Sequence, residues 1–364
     1  MTRLVVFCAM LATGLSFPMS AISQSAADAW LKAAGPVPAL QIPPSLDEWR
    51  PKRAEIRKTL LRLLGDMPPR PLPSEVKSEP YRQEEGYRVE KLSFDNGAGE
   101  HVTGYCFVPD GATAEQKAPA ILYCHWHGGQ YEIGKEELFG TNATPVTPGP
   151  ALAKLGYVVV GIDAPCFGER NGKGPDGPKQ TGSAGEMSAS KFHLWQGRTL
   201  WGMMLRDDLT ALDYLAARPE VDASKIGVTG ISMGSTRAWW IMSLDDRPKA
   251  ASCVACMTRY QDLIQEGMLK AHGIYYYVPG MLRHFDTEAV IALAAPRAML
   301  FQTGDQDGGS PATGVKTLGE IVEKVYALHG KQTDFENILY PGVAHVYLPQ
   351  MWERTVAWFG QHLR

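Results

Sequence analysis

The stretch Lys225-Ile-Gly-Val-Thr-Gly-Ile-Ser-Met-Gly234 decides how the rest of the chain is read. Its first five residues form a short run of strand character, and residues 234–244 have helix character. Between the two lies Gly230-Ile231-Ser232-Met233-Gly234, a Gly-x-Ser-x-Gly pattern. At a strand-to-helix turn such glycines let the backbone bend sharply and lift the serine hydroxyl above the sheet. The pentapeptide alone is a weak signal, so its place between the two elements carries the inference.

On either side of this turn the pattern repeats. Short apolar runs at 120–124, 157–160, 225–229, 252–255, 298–301 and 335–340 are separated by helical stretches at 147–155, 234–244, 313–329 and 347–360. Another helix is marked by Trp201, Leu205, Leu209, Leu212 and Ala216 on one face and is ended by Arg218-Pro219. Alternation of this kind predicts an α/β fold, a mostly parallel sheet with helices on both faces. Upstream, 87–94 and 101–108 alternate as two strands joined near Asn96-Gly97. The connections 130–148, 168–190 and 257–296 are long for such a fold, and long ordered loops in α/β proteins tend to carry function. The last contains Tyr275-Tyr276-Tyr277, which is expected to line a substrate pocket together with Trp126.

A serine hydroxyl is a poor nucleophile until an imidazole accepts its proton, and the imidazole needs an acid to fix its tautomer. On a sheet of this kind the chain order is Ser, then acid, then His. Gly304-Asp-Gln-Asp307 follows the run at 298–301, and Pro341-Gly-Val-Ala-His345 follows the run at 335–340, so Asp305, Asp307 and His345 all fall at predicted C-terminal strand ends. Asp307 is the favoured acid from its spacing to Gly304, with Asp305 read as a turn-capping carboxylate. The other histidines, His101, His193, His272, His284, His329 and His362, lack such a position and read as structural or surface residues.

Acyl transfer also needs donors for the oxyanion. The Met233 N–H, directly after the serine, is one. The loop His125-Trp126-His127-Gly128-Gly129 should supply another from Gly128 or Gly129, where no Cβ blocks close approach. His125-x-His127 has no third ligand at metal-site spacing, so no metal is expected and His127 is read as a loop organiser. No cofactor is expected.

Composition is that of an ordinary globular protein. The 364 residues are 45% hydrophobic and 21% charged, with a net charge of −3, which supplies no basic field for nucleic acid. Residues 1–23 carry one Arg, an apolar run and Ala21-Ile22-Ser23, the pattern of a secretory signal, which places the mature protein in a secreted or periplasmic setting without stable membrane insertion. Cleavage would remove Cys8 and leave an odd number of cysteines; Cys253 and Cys256, in an apolar stretch, read as buried small hydrophobes. Residues 24–82 read as an arm with an accessory helix, opened by the capping box Ser45-Leu-Asp-Glu48 and carrying Trp49, Ile56, Leu60, Leu63 and Leu64. Residues 83–364 form the catalytic domain. Oligomeric state leaves no mark on the sequence.

From about Tyr87 onward the chain resembles the serine hydrolases of the α/β-hydrolase superfamily, in particular the acetylxylan-esterase and dienelactone-hydrolase-like branch. The resemblance rests on HWHGG, GIDAPCFGER, ARPEVDASKIGVTGISMG, APRAMLFQTGDQD and GVAH. It implies Ser232, Asp307 and His345 as a triad, Met233 and the 128–129 region as the oxyanion hole, and a small acyl ester, often on a sugar, as substrate. Departures narrow it. Dienelactone hydrolases use Cys where Ser232 stands; glucuronoyl esterases, which share an arrangement resembling His284-Phe-Asp286 to Arg297, carry Arg at Met233; prolyl-peptidase relatives add a propeller and place Gly at Ser235. The expectation is an exported serine carboxylesterase acting on acylated carbohydrate, with an exported peptidase or amidase, or a non-catalytic binding protein on the same fold, as alternatives.

Overall fold

The computed structural model describes residues 19–364, with side chains from Ala26 onward. Residues 1–18 of the expected signal therefore lie outside the described residues. The first helix, α1 (Met19–Ala34), runs across the expected processing position after Ser23. Among the described residues no helix is long and apolar enough to cross a membrane.

In chain order, α1 is followed by α2 (Leu46–Leu64), the antiparallel strands β1 (Lys77–Glu84), β2 (Tyr87–Asp95) and β3 (His101–Pro109), then β4 (Ala118–Cys124), α3 (Pro148–Lys154), β5 (Val158–Ile162), α4 (Gly182–Trp195) and α5 (Leu200–Ala217). The C-terminal half comprises β6 (Val221–Ile231), α6 (Met233–Leu244), β7 (Ala250–Val254), α7 (Tyr260–Gln265), α8 (Thr287–Ala292), β8 (Ala298–Gly304), α9 (Ala312–Leu328), β9 (Phe335–Tyr340) and α10 (Pro349–His362). The strands form one nine-stranded sheet in the order β1-β2-β3-β5-β4-β6-β7-β8-β9. From β5 to β9 every pairing is parallel, so the C-terminal ends of β4, β6, β8 and β9 share one edge. This is the α/β-hydrolase architecture expected from the alternating runs. The central strands are buried on both faces, which is why they read as continuous apolar runs.

Several elements differ from the expectation, among them the short helices α7 and α8, which lie within the connection 257–296. The exposed strand β1 pairs with β2 at the sheet edge, and the expected boundary at 82 falls inside it. Its sequence KSEPYRQE is mostly polar, exposed throughout and contains Pro80, as suits an edge strand that must not template further pairing, so it shows no alternation. The connection 168–190, read as a loop, contains the start of α4. Glycine, alanine and serine occupy much of that helix, so its apolar periodicity is faint.

Helix α2 is docked on the main body. The Ser45 hydroxyl accepts the Glu48 N–H at 3.3 Å, the N-cap half of the expected capping box, and donates to the Glu48 carboxylate, which takes that hydroxyl in place of the Ser45 backbone N–H. Trp49, Ile56, Leu60 and Leu64 are buried. Arg57 donates to the Ser243 carbonyl in the last turn of α6, and Arg53 to Leu293 just past α8, at 3.1 Å each. These guanidinium groups satisfy carbonyls that a helix C-terminus leaves unpaired. Both arginines also pair with Asp246.

Candidate active site

Ser232 sits on the turn between β6 and α6 with φ 59° and ψ −120°, a strained conformation for a residue with a Cβ. Its N–H donates to the Val254 carbonyl at 2.9 Å, and its carbonyl accepts the Thr236 N–H at 3.0 Å, opening α6. The flanking glycines are required by space. A Cβ on Gly230 would lie 2.3 Å, and one on Gly234 1.9 Å, from the Cys124 carbonyl oxygen. The parallel register pairing Cys124 with Gly230 creates that contact, so the same glycines allow the turn and bring the end of β4 beside it.

His345, on the loop after β9, places Nε2 2.9 Å from Ser232 Oγ and Nδ1 2.8 Å from Asp307 Oδ2. The geometry fits a serine hydroxyl donating to Nε2 and a ring N–H donating to the carboxylate, an arrangement able to move a proton off the serine. Asp307 is buried, and its second oxygen accepts the Gly309 N–H at 2.9 Å. Asp305 points elsewhere: its carboxylate accepts the Gly342 N–H at 2.7 Å and ties the β8 loop to the β9 loop. The Gln306 N–H, donating to the Val343 carbonyl at 2.9 Å, adds a second tie. Two carboxylates two residues apart thus face different partners, one holding the imidazole and one holding the loop that carries it.

The loop 125–129 curls over the end of β4. His125 is buried between two backbone partners, the Trp126 carbonyl at 2.7 Å and the Ala164 N–H at 3.0 Å, and burial holds its pKa well below the ordinary imidazole range. Since Nε2 accepts from Ala164, Nδ1 carries the proton, and neither nitrogen is free for a ligand. Gly128 and Gly129 both adopt positive φ, 51° and 70°. A Cβ on Gly128 would lie 2.5 Å from the Trp126 ring, which fills the space beneath the loop. The Trp126 N–H donates to Glu137 Oε2 at 2.9 Å, and the Gly129 N–H donates to His127 Nδ1 at 3.0 Å. Gly129 was an expected oxyanion donor; its amide is already engaged. The His127 and Gly128 N–H groups have no acceptor among the described residues, and the Met233 N–H, in the first turn of α6, belongs to the amides that a helix leaves without an internal partner.

Tyr275 and Tyr276 are buried behind this loop. Tyr275 stacks on the His127 ring at 5.1 Å and Tyr276 on His272 at 4.1 Å, so they back the site instead of lining its surface. Aromatic rings that find stacking partners lose their exposed faces, and a run of three tyrosines in a sequence does not reveal those partners.

Four groups lie near the site without a sequence signal that placed them there. Glu137 is fully buried, accepts the Tyr123 hydroxyl at 2.6 Å, and is pushed up to about 7 by burial. Arg237, buried in α6, pairs with Asp208 and reaches the His125 carbonyl at 3.4 Å. Cys256 lies 3.9 Å from Ser232 Oγ, buried as its apolar neighbours implied, with its thiol pushed up to about 12 by desolvation. Ala255 and Cys256 both have positive φ, and hydrogen bonds from Ser235 Oγ and Trp239 Nε1 hold their carbonyls. The fourth, Glu186, comes from α4 and contacts His127. Each reaches the site across the fold, and spacing in sequence carries no trace of such contacts.

Comparison with known proteins matches residues 25–337 to the model of the Abhydrolase family. YtaP of Bacillus subtilis, classed by name as a hydrolase, is 39% identical over 280 residues, covering 76% of this chain and 89% of that protein. Among solved structures, a Bacteroides fragilis protein classed by name as an acetyl xylan esterase superposes with a TM-score of 0.67 at 20% identity, covering 98% of this chain and 92% of that one. A glucuronoyl esterase from Solibacter usitatus gives a TM-score of 0.65 at 16% identity, covering 89% and 98%. On the strength of the family model and of the relative that is 39% identical over 280 aligned residues, this chain belongs to the Abhydrolase family.

Proposed function

We propose that the protein is an exported serine carboxylesterase that removes short acyl groups, acetyl in particular, from carbohydrate. The observation that carries this reading is the continuous contact from Ser232 through His345 to Asp307, at 2.9 and 2.8 Å, on the sheet edge where such folds place their chemistry. In the proposed reaction Ser232 Oγ attacks the acyl carbon and passes its proton to His345 Nε2. The oxyanion takes hydrogen bonds from Met233 N–H and from the amides near Gly128. Collapse breaks the ester C–O bond, and His345 gives its proton to the departing alcohol. Water, deprotonated by His345, then attacks the acyl-enzyme, releasing the carboxylic acid and restoring Ser232. The likeness to structures named as carbohydrate esterases supports the substrate class. Export rests on the character of residues 1–23.

A peptidase reading has one finding in its favour. A 156-residue segment is 26% identical to dipeptidyl-peptidase 5 of Porphyromonas gingivalis, of which it spans 19%. Products from acetylated xylo-oligosaccharides and from proline-containing peptides separate the two: acetate release marks an esterase, and dipeptide release without it would overturn our reading. Ser232→Ala should abolish ester turnover and labelling by a fluorophosphonate, and turnover left intact would remove Ser232 from the reaction. The export reading predicts an N-terminus at Gln24 for protein recovered outside the cytoplasm.

A further inference from the structure

We propose that Glu186, acting through His127, is a positioning residue for the oxyanion loop; the inference rests on the serine-hydrolase reading above. Glu186 lies on the inner face of α4, its side chain only 3% exposed, in a segment that lies far from the Ser, Asp and His motifs in sequence. One carboxylate oxygen is 3.3 Å from His127 Nε2 and the other accepts the Tyr131 hydroxyl at 3.2 Å. On the opposite side of the imidazole, Nδ1 accepts the Gly129 N–H at 3.0 Å.

The chemistry of the ring fixes the proton positions. A backbone N–H can only donate, so Nδ1 must hold a lone pair; the neutral ring then carries its proton on Nε2, and Glu186 is the acceptor for it. With both nitrogens committed, His127 is neither a second base nor a metal ligand. Tyr131, Phe167 and Tyr275 pack against the ring at centroid distances of 4.9, 5.0 and 5.1 Å and so restrict its rotation. The pair therefore pins the Gly129 amide from below, and the peptide planes of His127 and Gly128, whose N–H groups are unengaged, take their orientation from that anchor and from the Glu137 contact at Trp126. A carboxylate-imidazole pair at Asp307 and His345 moves a proton; this second pair fixes where the negative charge is received.

The test uses the full chain and a short acyl ester, with an alkyl boronic acid as probe, because its tetrahedral adduct on Ser232 places an oxygen where the oxyanion sits. Glu186→Leu should lower kcat about 10- to 100-fold with KM changed less than about 2-fold, and should weaken the boronic acid by a similar factor. Glu186→Gln keeps a carbonyl acceptor and should restore kcat to within about 3-fold of the wild type. His127→Phe fills the same space without the ring acceptor and should match Glu186→Leu, which keeps the test open if the leucine variant does not fold. Wild-type kcat in Glu186→Leu or His127→Phe, unchanged boronic acid binding, or a Gln variant as impaired as the Leu variant would each overturn the proposal. A wild-type protein that neither turns over esters nor takes a fluorophosphonate would instead overturn the function reading.

Discussion

Two aspartates separated by one residue illustrate how much a single side chain decides. Asp307 faces His345 and Asp305 faces a backbone amide of the next loop. If Asp307 holds the imidazole tautomer, Asp307→Asn should reduce kcat by about 10⁴-fold, because the amide presents the wrong partner to the ring. Asp305→Asn should cost less than about 10-fold, since an amide oxygen still accepts from Gly342. Steady-state kinetics on both variants decides between them, and a reversed order would transfer the acid role to Asp305. Glu137 offers a separate test at the same scale. Burial raises its carboxyl from 4.5 to about 7, so its contribution to stability is complete below the lower value and is lost as pH rises through the upper one. Glu137→Gln removes that dependence. The melting temperature of the variant relative to the wild type should therefore climb between pH 5 and pH 8.5, and a flat difference would show that Glu137 does not titrate there.

The turn between β6 and α6 and the end of β4 act as one piece, because the two glycines of the serine turn lie against the Cys124 carbonyl. Gly234→Ala would drive a methyl to 1.9 Å from that oxygen and should destabilise the fold by at least 1–3 kcal/mol, roughly the cost of overpacking, as measured by urea unfolding. A variant of unchanged stability would mean that β4 can withdraw without penalty. The Gly-x-Ser-x-Gly pattern made this element legible because a sharp strand-to-helix turn imposes its glycines locally. Helix α4 was not legible in the same way. Its small residues give no clear apolar stripe, and the one residue that matters at the site, Glu186, is recognised only by what it touches.

Over the whole molecule, α2 is the extension whose sequence signals, a capping box and spaced apolar residues, foretold a helix but not its berth. Its buried face and the two arginines on the carbonyls of Ser243 and Leu293 place it against α6 and α8, the helices behind the serine turn. Leu60→Ala should cost about 2–5 kcal/mol of stability, the usual loss for a fully buried leucine, while kcat of the folded variant stays within about 2-fold of the wild type. Chemical denaturation with parallel kinetics checks both. A large loss of kcat in the folded variant would mean that α2 sets the geometry at Ser232.

The sequence by itself determined the parallel core of the sheet, the serine turn, and the order of serine, acid and histidine along the chain. Each of these follows from a local rule: apolar runs where strands are buried on both faces, glycines where the backbone must turn, and loops at strand ends where side chains can converge. Tertiary structure alone decided the partners. It engaged the Gly129 amide, turned Tyr275 and Tyr276 inward, set β1 on the sheet edge, and brought Glu137, Arg237 and Glu186 to the loop after β4. A hydrogen bond depends on position and direction in space, and for residues separated by tens of positions those are fixed only when the sheet has closed and its loops have packed over it.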